Sequence, residues 1–306
     1  MRKSIVRSVT LSELPIWEMM ERKNALFSFE LEITARCNNN CRHCYINLPA
    51  GDKLAEEREM PLGEIDKIAA EAVSLGAIWC LITGGEPLLR RDFSEIYLNL
   101  KRKGLLVSVF TNATMITEEH VKLFKKYPPR DVEVSVYGIS RETYEHVTRR
   151  SGSFSAFTRG LDLLLGSGTK VRFKAMALRS NIHEMPEIAR FCRERTKDYF
   201  RFDPFLHMRL DGDKTRNEEI KSERLSPTEI VALERSDPER FQALKKNCDQ
   251  LIVPELANAT GNYLFACGAG RGSIALSCEG ILRLCSDLWP QGDYLYERDP
   301  HYPSPG

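Results

Sequence analysis

Three cysteines within eight residues, Cys37-Asn-Asn-Asn-Cys41-Arg-His-Cys44, constrain this chain more than any other feature. The run before them, Phe27-Ser-Phe-Glu-Leu-Glu-Ile-Thr34, alternates apolar and polar residues at period two and reads as a strand entering a loop. Thiols at this spacing in such a loop can converge on one small metal centre. Three ligands leave a tetrahedral zinc ion or a cubane iron–sulfur cluster one site short, and an open position is where substrate or cofactor chemistry takes place. A structural zinc site with His43 as fourth ligand is the competing reading, although chelation by His43 and the adjacent Cys44 together is awkward. The chain has 9 Cys, and in a reducing compartment clustered thiols act as metal ligands sooner than as disulfides. Cys80 and Cys192 stand alone in apolar surroundings and read as small buried hydrophobes.

Beyond the first strand the pattern repeats. Strands are expected at 78–82, 105–110, 132–136, 170–177 and 199–204, each followed by amphipathic helical spacing: 61–76 ahead of the second strand, then 93–103, 117–126, 141–148 with 154–165, 185–196 and 227–236. Repeated βα units demand parallel strands with right-handed crossovers, so the fold class is α/β, and six units can form an open sheet or a partial (β/α)6 TIM-like barrel. From Asp211 to Lys246 the chain is strongly charged and reads as a solvated linker with helices. After Cys248 glycine and cysteine dominate, and 274–277 with 281–284 read as a hairpin around Glu279-Gly280. The expected division is an N-terminal segment at 1–27, a βα domain at 28–240 and a small cysteine-rich C-terminal domain at 241–306.

The charge balance is near neutral, with 44 Lys+Arg against 43 Asp+Glu, which gives no electrostatic reason to expect nucleic acid or an anionic membrane as partner. No apolar run approaches the ~20 residues of a membrane span, and the charged N-terminus lacks the apolar stretch of a signal peptide. A cytoplasmic location is the default expectation.

Cys-x3-Cys-x2-Cys followed by Tyr45 resembles the signature of the radical S-adenosylmethionine (SAM) superfamily, and the resemblance continues along the chain. Thr83-Gly84-Gly85-Glu86-Pro87 matches that family's GGEP motif, Thr111-Asn112 its Thr-Asn pair, and Val134-Ser135-Val136-Tyr137-Gly138 its "SLDG" segment, with Tyr137 in place of the family's aspartate. The resemblance implies that Cys37, Cys41 and Cys44 bind three irons of a 4Fe–4S cluster and that SAM chelates the fourth. Gly84 and Gly85 would let the backbone approach the SAM amino group, and Glu86 would accept a hydrogen bond from it. Tyr45 would offer a face to adenine, Ser135 and Asn112 would contact ribose or carboxylate, and Arg149 or Arg150 would pair with the carboxylate. Plainer readings stand beside these: the glycine pair as a turn, Ser135 as a residue lining a barrel face, and Arg149-Arg150 as a solvated pair.

Cys267 to Cys285 forms a second group, Cys-x12-Gly-x4-Cys with Cys278 inside it. It resembles the opening of the SPASM or twitch domains of many radical SAM enzymes, which hold auxiliary iron–sulfur clusters. Cys267 and Cys285 would be ligands, with Cys248 ranked above Cys278 for a further one; a zinc-binding knuckle is the alternative. No cysteine follows Cys285 and 21 residues remain, so a twitch-like or truncated SPASM domain with one auxiliary cluster is expected. The implied activity is radical SAM chemistry on a peptide or protein substrate, with an external flavodoxin- or ferredoxin-type electron donor. The N-terminal segment looks too short for a winged-helix peptide-recognition domain. A small-molecule or tetrapyrrole substrate is the enzymatic alternative. A non-catalytic iron–sulfur electron carrier is the alternative of another class, and GGEP argues against it because a carrier needs no SAM site.

Overall fold

Alternating strands and helices order the chain in the computed structural model, which describes residues 25–198, 200–209, 211–251, 270 and 272–286, without the side chains of 247–251. The strands of the main sheet are β1 (Ser28–Glu32), β4 (Trp79–Thr83), β5 (Leu106–Thr111), β6 (Asp131–Val136), β7 (Val171–Met176) and β8 (Arg201–Asp203), then β9 (Ser273–Leu276) and β10 (Leu282–Arg283). Between β1 and β4 lie the short β2 (Arg36–Cys37) and β3 (Leu48–Pro49), then α1 (Lys53–Glu57) and α2 (Leu62–Ser74). The later helices are α3 (Phe93–Arg102), α4 (Glu118–Lys126), α5 (Arg141–Thr148), α6 (Ser153–Gly166), α7 (Met185–Arg195), α8 (Lys214–Glu223), α9 (Pro227–Ser236) and α10 (Pro238–Leu251).

Sheet order is β10-β9-β1-β4-β5-β6-β7-β8, and every pairing is parallel except β9 with β10. The six expected βα units are therefore present as a partial barrel. Alternate strand residues, Phe29 and Leu31, Cys80 and Ile82, Val107 and Val109, Val132 and Val134, are buried in one core with helix residues such as Ile65, Ile96, Phe124 and Leu161. Each such side chain contributes roughly 1.5–3 kcal/mol on leaving water. Period-two alternation puts polar residues on the other, inner face. There Glu133 pairs with Arg201 at 2.5 Å, Arg172 with Asp131 at 3.8 Å and Lys174 with Asp203 at 3.9 Å.

Three details of the later chain bear on its expected layout. The boundary near residue 240 falls inside α10, where Arg240 pairs with Glu234 at 2.6 Å and stacks over Phe202 at 3.8 Å, tying that helix to the barrel. The β9–β10 hairpin joins the barrel's own sheet, with β9 hydrogen-bonded beside β1. The charged stretch read as partly linker is largely helix, α8 through α10. Among the described residues no helix is long and apolar enough to cross a membrane.

Candidate active site

The cysteine loop leaves the C-terminal end of β1 and is pinned at both ends. β2, which contains Cys37, pairs in parallel with β3, and Leu48 N–H donates to the Ala35 carbonyl at 2.9 Å. In its middle, Asn40 N–H and Arg42 N–H donate to the Thr148 and Val147 carbonyls at 2.9 and 3.0 Å. Those carbonyls end α5 and have no partner within their own helix, so the helix terminus and the loop satisfy each other. Two arginines complete the fastening. Arg216 of α8 donates to the Cys41 carbonyl at 2.8 Å, and Arg209 donates to the Asn47 carbonyl at 3.2 Å.

The loop gathers Cys37, Cys41 and Cys44 within range of one another's charge. Burial, with the Glu86 carboxylate adding to it, pushes the Cys37 thiol up to about 12, and burial raises Cys41 well above the usual thiol range. Such thiols ionise when a metal takes the proton's place. Two donors already point at the Cys37 sulfur: Asn39 N–H at 3.4 Å and the Asn112 amide at 3.8 Å. Both side-chain atoms of buried Asn39 and Nδ1 of His43 have no hydrogen-bond partner among the described residues. No three Cys, His, Asp or Glu among the described residues are grouped to hold a single metal ion. A cubane differs from a single ion in giving each thiolate its own iron. Soft thiols, aimed N–H donors and orphaned polar atoms together fit a thiolate-held cluster.

Gly84 and Gly85 lie against the strand that feeds the loop. A Cβ on Gly84, whose φ is +138°, would sit 2.2 Å from the Thr34 carbonyl oxygen, and one on Gly85 would sit 2.3 Å from that of Arg36. Their own backbone explains the closeness: Gly85 N–H donates to Thr34 O at 2.7 Å and Glu86 N–H to Arg36 O at 2.9 Å. Fully buried Glu86 spends its carboxylate on the protein. It accepts from Leu88 N–H at 3.1 Å, the Thr111 hydroxyl at 2.8 Å and Asn112 N–H at 2.8 Å. Burial pushes this carboxyl up to about 7 despite those donors. The Asn112 amide is likewise engaged, donating to Asn38 Oδ1 at 2.9 Å and accepting from the Thr114 hydroxyl at 2.6 Å. The GGEP and Thr-Asn motifs therefore build the cradle of the cysteine loop.

Ser135 lies on β6 and the buried Tyr137 just after it, near both Ser135 and the Cys41 thiol. The Tyr137 ring lies 5.2 Å from His43, and burial lowers that imidazole to about 4. Tyr45 turns its ring edge-on to His207 at 6.2 Å and lies near the Glu32 carboxylate. Arg149 pairs with Glu219 at 2.8 Å, whereas buried Nη1 of Arg150 has no hydrogen-bond partner among the described residues. Sequence reasoning missed Arg209 and Arg216. The arginines lie 162 and 175 residues from their acceptors, in a stretch whose charge reads as solvation.

In the second group, Cys278 sits buried in the β9–β10 turn with its carbonyl accepting from Met60 N–H at 2.7 Å. Burial, then the charges of Glu279, Glu32 and Glu59, push its thiol up to about 12. Cys285 is half-buried just beyond β10. Gly270 N–H donates to the Leu284 carbonyl at 3.2 Å, closing the hairpin next to Cys285. Cys267 and the Cys248 side chain lie outside the described residues.

Comparison with known proteins agrees with this geometry. The family model described as Radical SAM superfamily matches residues 31–192. The chain is similar to the Fe-coproporphyrin III synthase of Methanosarcina barkeri, 29% identical over 204 residues that cover 67% of this chain and 50% of that protein. It is also similar to the antilisterial bacteriocin subtilosin biosynthesis protein AlbA of Bacillus subtilis, 27% identical over 263 residues, 85% of this chain and 54% of that one. The chain thus spans about half the length of these curated relatives. The crystal structure of Streptococcus suis SuiB bound to precursor peptide SuiA shares the fold, with a TM-score of 0.64 at 15% identity, covering 88% of this chain and 62% of that one.

Proposed function

The chain belongs to the radical SAM superfamily, and from that premise we propose that it is a radical SAM enzyme in which Cys37, Cys41 and Cys44 hold a 4Fe–4S cluster that takes SAM at its open iron. When bound, the cofactors supply reductive cleavage of the sulfonium C–S bond and a 5′-deoxyadenosyl radical that abstracts hydrogen from substrate. The chain's own residues hold and orient. Asn39 and Asn112 donate to the Cys37 sulfur, Tyr137 lies near Cys41, and Gly84-Gly85-Glu86 fix the backbone on which those donors depend. Arg150, with a guanidinium nitrogen that has no hydrogen-bond partner among the described residues, suits the SAM carboxylate. The observation that carries the proposal is the set of three interacting thiols, with N–H donors already aimed at one of them, at the C-terminal end of a parallel barrel.

The substrate we propose is a peptide or protein. AlbA is a bacteriocin biosynthesis protein and SuiB binds a precursor peptide, and these two similarities extend over 85% and 88% of this chain. The likeness to Fe-coproporphyrin III synthase favours a tetrapyrrole as second reading. We assign one auxiliary cluster to the 241–306 region, held by Cys267 and Cys285 with Cys248, and a flavodoxin- or ferredoxin-type protein as electron donor. Cys278 is set apart because its neighbours are carboxylates. Incubating the anaerobically reconstituted chain with SAM, reductant and the short peptides encoded beside its gene tests the reading. A mass change in one peptide, together with 5′-deoxyadenosine, supports it. Modification of a porphyrin instead selects the second reading.

A further inference from the structure

A cavity of about 340 Å³ opens where the end of β1, the segment after Cys44 and the β9–β10 turn meet. Glu32 lies in its wall, 4% exposed, with Arg283 on Oε2 and no hydrogen bond on Oε1. A buried carboxylate oxygen without a partner costs free energy that a bound donor recovers. The arginines nearby are already matched: Arg58 with Glu279 at 3.2 Å, Arg209 with Asp211 at 2.5 Å and Arg283 with Glu32. Asp52, the N-cap of α1, also lines the cavity and forms no ion pair among the described residues. The wall is therefore one positive charge short. Ile46, Leu48 and Leu54 add apolar surface for an aliphatic stem.

We propose that this cavity binds an alkylammonium side chain of the lysine type on the substrate, with Glu32 Oε1 as its acceptor. The inference rests on the peptide reading above and gives that reading a side-chain class. A guanidinium prefers both oxygens of a carboxylate, and Arg283 already occupies one; an ammonium is a point charge that a single oxygen can receive. Burial raises the Glu32 carboxyl, and a cation at Oε1 would act against that, as Arg283 and Tyr45 do. The cavity adjoins the proposed cluster site, because Tyr45 follows Cys44 and Arg209 in its wall feels the Cys44 charge.

The test titrates the anaerobically reconstituted full chain, at saturating SAM, with N-acetyl-lysine methylamide and its neutral norleucine analogue. The lysine probe should bind saturably and at least roughly tenfold tighter than norleucine, as one desolvated charge contact implies. Glu32→Gln should bring the two probes to similar affinity. Because that variant strands Arg283, a second pair leaves the core intact: Leu54 is 72% exposed at the cavity wall. Leu54→Glu should tighten and Leu54→Lys weaken lysine binding, each by roughly three- to tenfold at low salt. Equal affinity for norleucine, or lysine binding indifferent to the Leu54 charge, overturns the inference. 5′-Deoxyadenosine formation is read separately. Its presence without lysine preference sinks only the cavity, and lysine preference without it sinks only the radical SAM reading.

Discussion

The side-chain amide of Asn112 lies 3.8 Å from the sulfur of Cys37, 75 residues earlier in the chain. Its backbone N–H meanwhile donates to Glu86 at 2.8 Å, so the GGEP glutamate steers a donor toward a proposed cluster ligand. Hydrogen bonds to cluster sulfurs set potential. Asn112→Ala should therefore shift the cluster's reduction potential to more negative values, read by EPR-monitored redox titration. An unchanged potential would mean the amide serves only Asn38 and Thr114.

Gly85 carries a second prediction. A methyl group there would meet the Arg36 carbonyl oxygen at 2.3 Å, one residue before Cys37. Backbone cannot yield cheaply at that point, so Gly85→Ala should lower iron per chain as well as SAM affinity. Gly63→Ala, with nothing within 4 Å, is the control and should load iron normally. Full iron with weakened SAM binding in the Gly85 variant would assign the glycine to the ligand instead.

A pH dependence follows from Glu184. Burial acts to raise its carboxyl, but the Ser140 and Thr143 hydroxyls and the Ile139 and Ser140 N–H groups outweigh it and hold it below its usual 4.5. A depressed carboxyl contributes stability above its unfolded value and loses it as pH falls through the folded one. Glu184→Gln should lower the melting temperature at neutral pH, and its gap to the native chain should close as pH falls from about 5 toward 3. A gap constant with pH would show that the ionised form is not what matters. Glu184 anchors the start of α5, whose far end fastens the cysteine loop, so iron retention should follow the same trend.

The cysteines should divide by location. Cys80 and Cys192 are 1% and 0% exposed in the apolar core, so Cys80→Ala and Cys192→Ala should leave iron per chain unchanged while costing stability of order 1 kcal/mol. Replacing Cys267 and Cys285 together should remove part of the iron and leave SAM cleavage without substrate in place. Iron analysis of the three variants decides this, and loss of iron at Cys80 would redraw the ligand set.

The strands and helices were legible because their period is local. Val132, Val134 and Val136 alternate with Glu133 and Ser135, and the structure keeps that alternation as core face and inner face. The cysteine loop was legible as spacing. What the sequence hid is where side chains turn once buried: Glu86 reads as a ligand contact, and the structure adds that it grips Thr111 and Asn112. Arg209 and Arg216 were hidden for a different reason. A charged side chain bound to a backbone carbonyl leaves no periodicity, and in a stretch rich in Lys and Glu it cannot be told from a solvated one. The placement of β9 beside β1 was equally silent, because four residues of hairpin carry no record of the edge they join.

Formation of 5′-deoxyadenosine by the anaerobically reconstituted, reduced chain with SAM tests the central claim most directly. The native chain should form it, and Cys37→Ala, Cys41→Ala and Cys44→Ala should each reduce it to background. Undiminished 5′-deoxyadenosine from the Cys41→Ala chain, or none from the native chain with its iron intact, would contradict the account.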